Sequence, residues 1–559
     1  MKTKIAVIVS GAVSLGSYEA GVLYELFYAL QKLGKDANFK IDVITGASAG
    51  SINSAILAAS MIYDPALIKY LEQIWIEGLD IISLLEDIKE PEKSIFSKKA
   101  INDLKTEFLN SIKEANNPLP YAPDSVKVAF TLTNLTGIPY EIRYSNKKDI
   151  YKSTTFADWY VFSLEKGKKN INDMEIMLDM ATASGSFPFA FPAMKLKRKW
   201  QDYKATAVEK PSSGELEFIY VDGGVFNNEP INRARRLADE LGKSDEPQER
   251  IYLLVDPTPP QPAPEFEGMT MLDVAKRLVP AIFTEAHFRD WYDASKVNQR
   301  LEWEEEAINR FIRFFGSPLH NQSVLEKRDY LKSLAHDIAS FKAEREGKTP
   351  EAYLAKNKDR IAERIAKKFQ EETQNKLMKL EDRTRVQDFM VDFVFVLECV
   401  SGLRDKKILD IRLLSPEKEG DLAGDFLINF GAFFSKDYRI HDFKMGREVT
   451  RKFLTESKAK EDLEIDLSKY NPEEYKPDRP LGKVTIKNVP SEQKLRLKDS
   501  LVERIGSFVE NWLKVNRIAD FWGRIVIPLA LMFWPWRKLL PWMMRKLTAK
   551  VLDSVLEIE

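Results

Sequence analysis

The chain has 559 residues, 44% hydrophobic and 30% charged, with 84 Lys+Arg against 85 Asp+Glu and a formal net charge of −1. This composition supports sizeable buried cores, three or four at ~150 residues per domain, and excludes global disorder. The near-neutral balance offers no electrostatic ground for a nucleic-acid partner. The single cysteine, Cys399, excludes an intramolecular disulfide framework and any multi-cysteine metal site, and the four histidines (His287, His320, His336, His441) form no close pair. An intracellular chain with no metal and no cofactor is the expectation.

At the N-terminus, Lys2 and Lys4 followed by the apolar run 5–9 imitate a signal peptide, but Ser10 and Gly11 break the run and Glu19 follows. The better reading is a buried parallel strand at 5–9 opening a βαβ unit. Residues 17–33 then place Val22, Leu23, Leu26, Phe27, Leu30 and Leu33 at helical spacing, with Gly34 as the stop. A second strand at 41–45 and a small-residue helix at 50–61 flank Gly46-Ala47-Ser48-Ala49-Gly50. That G-x-S-x-G pattern is common by itself. Its setting between strand and helix makes it a candidate nucleophile elbow, where a strained serine needs small neighbours so that strand and helix can approach. An ordinary tight turn with a serine cap is the competing reading.

Two further segments bear on this choice. Residues 10–16 (SGAVSLG) lead straight into a helix, and amides in such a loop lack intrahelical acceptors, so they can hold an oxyanion. Residues 216–221 form an apolar strand that ends in Asp222-Gly223-Gly224, a carboxylate at the strand's C-terminal end, where open α/β sheets place their sites. Asn228 and Pro230 then begin a helix carrying Ile231, Ala234 and Leu237.

With these motifs in hand, the sequence resembles the patatin-like phospholipase family. The resemblance rests on residues 10–23 (SGAVSLGSYEAGVL), 46–50, 183–192 (ASGSFPFAFP) and 222–224, in the family's order, together with a central strand at 128–137 (VAFTLTNLTG). Residues 422–454 are similar to the C-terminal part of a long bacterial subgroup. The resemblance implies a patatin-like three-layer α/β/α core with a mostly parallel sheet, plus a helical insertion and a C-terminal helical region. It makes Ser48 the nucleophile and Asp222 its base, and assigns an oxyanion hole to Gly11, Ala12, Val13 and Ala49. Gly16, Gly46, Gly50, Gly223 and Gly224 are its motif glycines. The activity implied is a serine lipid acyl hydrolase, phospholipase A-like, working at a membrane surface on a lipid or phospholipid substrate; the alternative is a catalytically weak lipid-binding or assembly scaffold. The family's loop has three glycines and a basic residue two positions later. Here Ala12 and Val13 replace two glycines and Leu15 stands at the basic position, so a backbone needing positive φ at 13 would be strained.

A Ser48–Asp222–His287 triad has the α/β-hydrolase chain order. Against it, the serine follows only the second strand, no HGGG-like loop is present, and His287 sits in a helical run. His441, beside Asp442, is expected to serve structure.

The expected organisation is a catalytic core at 1–260, a charged helical insertion at 261–400, a subgroup-like segment at 401–470, and a linker with C-terminal helices at 471–559. Residues 257–264 and 471–479 read as linkers, and the apolar run 390–400 as buried, with Cys399 an inert core thiol. Residues 525–536 (IVIPLALMFWPW) are uncharged but shorter than a membrane span. Around them Arg524, Arg537, Lys538, Arg545, Lys546 and Lys550 mix with Trp522, Trp534, Trp536 and Trp542, the composition of an interfacial membrane segment. A cytoplasmic, bacterial protein held peripherally on a membrane is the expectation; a helix hairpin packed on the core or a homo-oligomer seam is the competing reading.

Overall fold

The computed structural model describes residues 2–559 except 87–92, 144–149, 205, 242–249, 259–270, 316–320, 347–348, 373–379, 402–407, 419, 428, 471–483, 516–541, 543, 554–555 and 557–559. The linker residues 259–264 and 471–479 and the apolar tail 525–536 therefore lie outside the described residues.

The chain opens with β1 (Thr3–Val9), α1 (Gly16–Leu33), β2 (Phe39–Gly46) and α2 (Ala49–Ile62). Ile5 to Val9 are all buried, which explains why this strand reads as a continuous apolar run instead of an alternating one. Gly34 ends α1 at φ 59°, a conformation glycine takes without penalty. Three short helices follow, α3 (Lys69–Glu72), a π-turn at Gln73–Gly78 and α4 (Ile81–Leu85), then the longer α5 (Lys99–Glu114). The hairpin β3 (Ser125–Arg143) and β4 (Ile150–Glu165) leads to α6 (Ile171–Ser184), β5 (Met194–Lys199), β6 (Glu215–Val221), α7 (Ile231–Leu241) and β7 (Arg250–Val255). After a helical stretch, β8 (Asp410–Leu414) returns to the sheet.

The eight strands form one sheet in the order β5-β6-β3-β2-β1-β7-β8, with β4 paired to β3. The pairs β1–β2, β1–β7, β2–β3 and β7–β8 are parallel; β3–β4, β3–β6 and β5–β6 are antiparallel. Helices α1, α2 and α6 pack together on one face, and α7 packs on β1, β2, β3 and β7. The fold is thus the expected three-layer α/β/α, with a mostly parallel sheet.

Two compact units divide the chain, one holding residues 1–291 and 410–559 and the other residues 292–409. In the first, α12 (Lys436–Glu456) lies along α1 so closely that a methyl group at Gly21 would sit 1.9 Å from the Phe443 carbonyl oxygen. This unit also holds α13 (Lys458–Asp462) and α14 (Ser491–Val515). The second unit is helical: the C-terminal part of α8 (Met271–Phe315), α9 (Asn321–Glu346), α10 (Pro350–Glu372) and α11 (Leu380–Ser401). They enclose their own core, including Ile308, Ile312, Ile365, Phe369, Met390 and Phe395, with Cys399 buried beside it. Arg364 joins Glu304, Glu305 and Glu398 across that bundle. No helix among the described residues is long and apolar enough to cross a membrane.

Candidate active site

The site is set by one strand acting as a ruler. Parallel β2 ends where Gly46 pairs with Phe130 of β3, and antiparallel β6 ends where Val221 pairs with Thr133 of the same strand. Since β4 occupies the other edge of β3, β2 and β6 share one edge and run toward each other. Their C-terminal ends stop three residues apart on β3, about 10 Å at the usual rise. Ser48 and Asp222 leave those two ends into the gap.

Ser48 Oγ donates a hydrogen bond to Asp222 Oδ2 at 2.5 Å. Ser48 has φ 49° and ψ −126°, a region a non-glycine residue occupies at a cost of ~1–3 kcal/mol. Three contacts hold it there. Its amide donates to Ser184 Oγ at 2.9 Å, and Ser184 Oγ also pairs with Ser51 Oγ at 2.8 Å. The third is close packing of the elbow: a methyl group at Gly50 would lie 2.4 Å from the Ser10 carbonyl oxygen, and one at Gly46 2.5 Å from that of Gly50. As residue before α2, Ser48 lies at the positive end of that helix.

Asp222 is fully buried. Its Oδ1 accepts the Gly224 amide at 2.7 Å, and its own amide donates to the Ser186 carbonyl at 2.9 Å. Burial pushes its carboxyl up to about 7, against the opposing pull of Ser48, the Gly224 amide and Lys98. A carboxylate held near neutrality is a competent proton acceptor at physiological pH.

The loop at 10–16 lies against the elbow. A methyl group at Gly11 would lie 2.9 Å from Ser48 Cβ and 2.1 Å from Asn228 Oδ1. Among the described residues, the Gly11, Ala12, Val13 and Ala49 amides have no hydrogen-bond acceptor. Val13 stands at φ 53°, so the loop keeps a glycine-like backbone at this position although the residue is β-branched. The strain is clamped from far along the chain. Ser14 donates to the Asn429 carbonyl through its amide at 3.0 Å and its Oγ at 2.5 Å, and Ser14 Oγ accepts the Ala432 amide at 3.1 Å. Leu15, at the position where the family has a basic residue, is buried in the same core as Leu422 and Phe433. Gly16 is required by the Trp75 ring, 2.3 Å from where a methyl would stand, and Gly223 by the Thr131 carbonyl oxygen at 2.1 Å. A methyl at Gly224 would meet Asn228 Oδ1 at 2.3 Å.

The sequence marks Asn228 only as a helix start. In the structure it is buried, with Oδ1 beside Gly11 and Gly224 and Nδ2 donating to the Gly11 carbonyl at 3.1 Å, so it ties the 10–16 loop to the Asp222 turn. Ser184 and Ser186, inside a segment singled out for its phenylalanines, were missed likewise. Of those phenylalanines, Phe191 is buried against Phe96, Phe187 packs edge-on to Phe430, and Phe189 is 79% exposed at φ 68°.

No imidazole stands between serine and carboxylate, which touch directly. His287 belongs to α8, its side chain outside the described residues. His441 is buried on α12, with Nδ1 3.2 Å from Asp442 Oδ1. Asp442 in turn accepts the Ala423 and Gly424 amides at 2.6 and 3.1 Å, a structural role that fastens the 423–434 segment. Among the described residues no group of His, Cys, Asp and Glu could hold a metal ion.

Residues 7–235 match the family model of the patatin-like phospholipases. The uncharacterized protein y4iI of Sinorhizobium fredii is 22% identical over 379 residues, which cover 51% of this chain and 54% of that protein. The crystal structure of VipD from Legionella pneumophila is similar at 14% identity over 56% of each chain, with a TM-score of 0.22. The chain thus spans about half the length of the relatives it matches. Residues 7–235, which carry the strand-end serine and its elbow, thus form a region that matches the patatin-like phospholipases.

Proposed function

We propose that this chain is a serine lipid acyl hydrolase of the phospholipase A type, with Ser48 as nucleophile and Asp222 as its base. At family level the patatin-like match supports lipid hydrolysis. The observation that carries the finer reading is the direct 2.5 Å bond between Ser48 Oγ and a fully buried carboxylate. A serine hydroxyl becomes a useful nucleophile when a base within hydrogen-bond reach takes its proton. As Oγ attacks the ester carbonyl carbon, its proton passes to Asp222 Oδ2. The bond to the alcohol then breaks, and the alcohol leaves with that proton. Water, deprotonated in turn by Asp222, attacks the acyl–Ser48 ester; the acyl–Oγ bond breaks, the proton passes from Asp222 to Ser48 Oγ, and the carboxylic acid is freed.

The Gly11, Ala12, Val13 and Ala49 amides are the donors available for the developing oxyanion, and losing one such donor typically costs ~2.7–4 kcal/mol of transition-state stabilisation. Glycine adopts the Val13 backbone without strain. Val13→Gly is therefore expected to leave kcat on a soluble short-chain ester unchanged or raised. A large loss would mean that the valine side chain, not the backbone at 13, shapes the loop.

The substrate proposed is a membrane lipid, reached through the Trp-rich basic segment at 521–550. Near-surface cations contribute ~1 kcal/mol each toward anionic membranes. The test compares hydrolysis of a soluble ester with that of a phospholipid panel in anionic vesicles, using Ser48→Ala as the blank. Alanine at Trp522, Trp534, Trp536 and Trp542 together should lower vesicle hydrolysis at least ~tenfold and leave the soluble ester unaffected. Equal rates on vesicles would remove the membrane role from this segment. The scaffold reading would stand if wild type and Ser48→Ala were equally inert on every lipid.

A further inference from the structure

Lys98, the residue preceding α5, is only 9% exposed. Lysine is among the residues least often buried, and a buried ammonium ordinarily requires a carboxylate partner. Among the described residues none stands within ion-pair distance of it. Its Nζ instead donates to Ser186 Oγ at 2.5 Å, and that hydroxyl donates onward to the Thr182 carbonyl at 2.9 Å. The same Ser186 accepts the Asp222 amide on its carbonyl oxygen at 2.9 Å. One residue thus holds the buried cation with its side chain and the buried carboxylate's backbone with its own.

The position is fixed from both directions. Ile95 and Phe96 donate their amides to the Phe189 and Ala190 carbonyls at 2.9 and 2.7 Å, tying the stretch before Lys98 to the loop that follows Ser186. Behind it α5 packs on α6. The charged groups that face Lys98 are Lys105 on α5, Asp179 on α6 and Asp222 after β6; Lys105 and Asp179 are bonded to each other at 2.7 Å. Asp222 in turn faces Lys98, the Ser48 hydroxyl and the Gly224 amide. Since the Lys105–Asp179 pair is mutually satisfied, the carboxylate left to face Lys98 among the described residues is Asp222. Burial drives each toward its neutral form, Lys98 down to about 7 and Asp222 up to about 7, and each opposes that drift in the other.

We propose that Lys98 is a positioning residue for the dyad: its ammonium, anchored on Ser186, supplies the positive potential that keeps the Asp222 carboxylate ionised and able to accept the Ser48 proton. The inference rests on the Ser48–Asp222 reading. It assigns a function to a buried cation that packing alone does not call for, since an apolar side chain of similar length would avoid the cost of burying the charge.

The test is the pH profile of kcat/KM on a soluble short-chain ester for the full chain, in wild type, Lys98→Met, Lys98→Gln and Lys98→Arg, with thermal unfolding of each. Activity should rise with pH through about 7 in wild type, as Asp222 ionises. In Lys98→Met and Lys98→Gln this limb should move up by about one pH unit or more, so that kcat/KM falls about tenfold below the limb and recovers above it. Lys98→Arg, which stays cationic, should keep the wild-type limb. Glutamine removes the charge and keeps a polar head, one bond shorter than that of lysine, near Ser186, so it is the variant to read if Lys98→Met does not fold. An unmoved limb in both neutral variants overturns the proposal. So does a uniform loss at every pH with a lowered unfolding midpoint, which is the mark of a packing role. If Ser48→Ala hydrolyses the ester as fast as wild type, the failure lies in the dyad reading, whatever Lys98 does.

Discussion

Replacing Asp222 with asparagine is expected to lower kcat for ester hydrolysis by about 10³-fold or more, while the folded state becomes no less stable at pH 8. A general base contributes roughly 10²–10⁴ to rate, and an amide cannot take the Ser48 proton. The stability half follows from linkage. Burial raises the Asp222 carboxyl from 3.8 to about 7, so between those values the folded protein holds a proton that the unfolded chain has released. The stabilisation from this group is complete below the unfolded value and is lost as pH rises through about 7. Above that, the ionised carboxylate in the buried site costs as much as ~4 kcal/mol. Asparagine is nearly the same size, can still accept the Gly224 amide, and carries no such cost. The check is kcat together with thermal unfolding at pH 5 and pH 8. The unfolding midpoint of Asp222→Asn should gain on wild type as pH rises. A variant that loses stability at both pH values would show Asp222 to be a structural group.

Gly50→Ala should be nearly as severe by a different route. Its methyl would stand 2.4 Å from the Ser10 carbonyl oxygen and 2.6 Å from that of Val9, distances at which real side chains essentially never sit. Both obstacles are main-chain atoms at the end of β1, so no side-chain rotation relieves them. Overpacking a tight core costs ~1–3 kcal/mol, and the upper end applies when backbone must move. Here the backbone that moves leads into the 10–16 loop and carries Ser48 on the other side. We expect a loss of about 3 kcal/mol in denaturant unfolding and a fall in kcat of at least ~10². Wild-type stability and turnover together would contradict the close packing of the elbow.

Much of this site was legible in the sequence because it is built from local signals. Strand, small-residue turn and helix around Ser48 each have a period or a punctuation. The expected elements at 5–9, 17–33, 41–45 and 50–61 lie within observed elements that extend at most two residues further at either end. The strain at Ser48 was likewise foreshadowed by its flanking Gly46 and Gly50. What escaped depends on pairings that leave no local trace. The direction of β6 was one: a strand ending in Asp222 looks the same whether parallel or antiparallel, and only its pairing on Thr133 and Asn134 of β3 aims it at Ser48. The edge strand β8 was another, short and partly exposed. Asn429, which clamps Ser14 from 415 residues away, carries no motif of its own. Lys98 looks like any lysine at a helix start until its burial is seen.

Covalent labelling with a fluorophosphonate probe, followed by mass spectrometry of the modified peptide, tests whether Asp222 activates Ser48. The probe reacts with a serine only when a neighbouring base activates it. One phosphonylated residue is expected, Ser48, with labelling abolished in Ser48→Ala and slowed at least ~10²-fold in Asp222→Asn. Labelling at another serine, or at Ser48 with equal speed in Asp222→Asn, would contradict it.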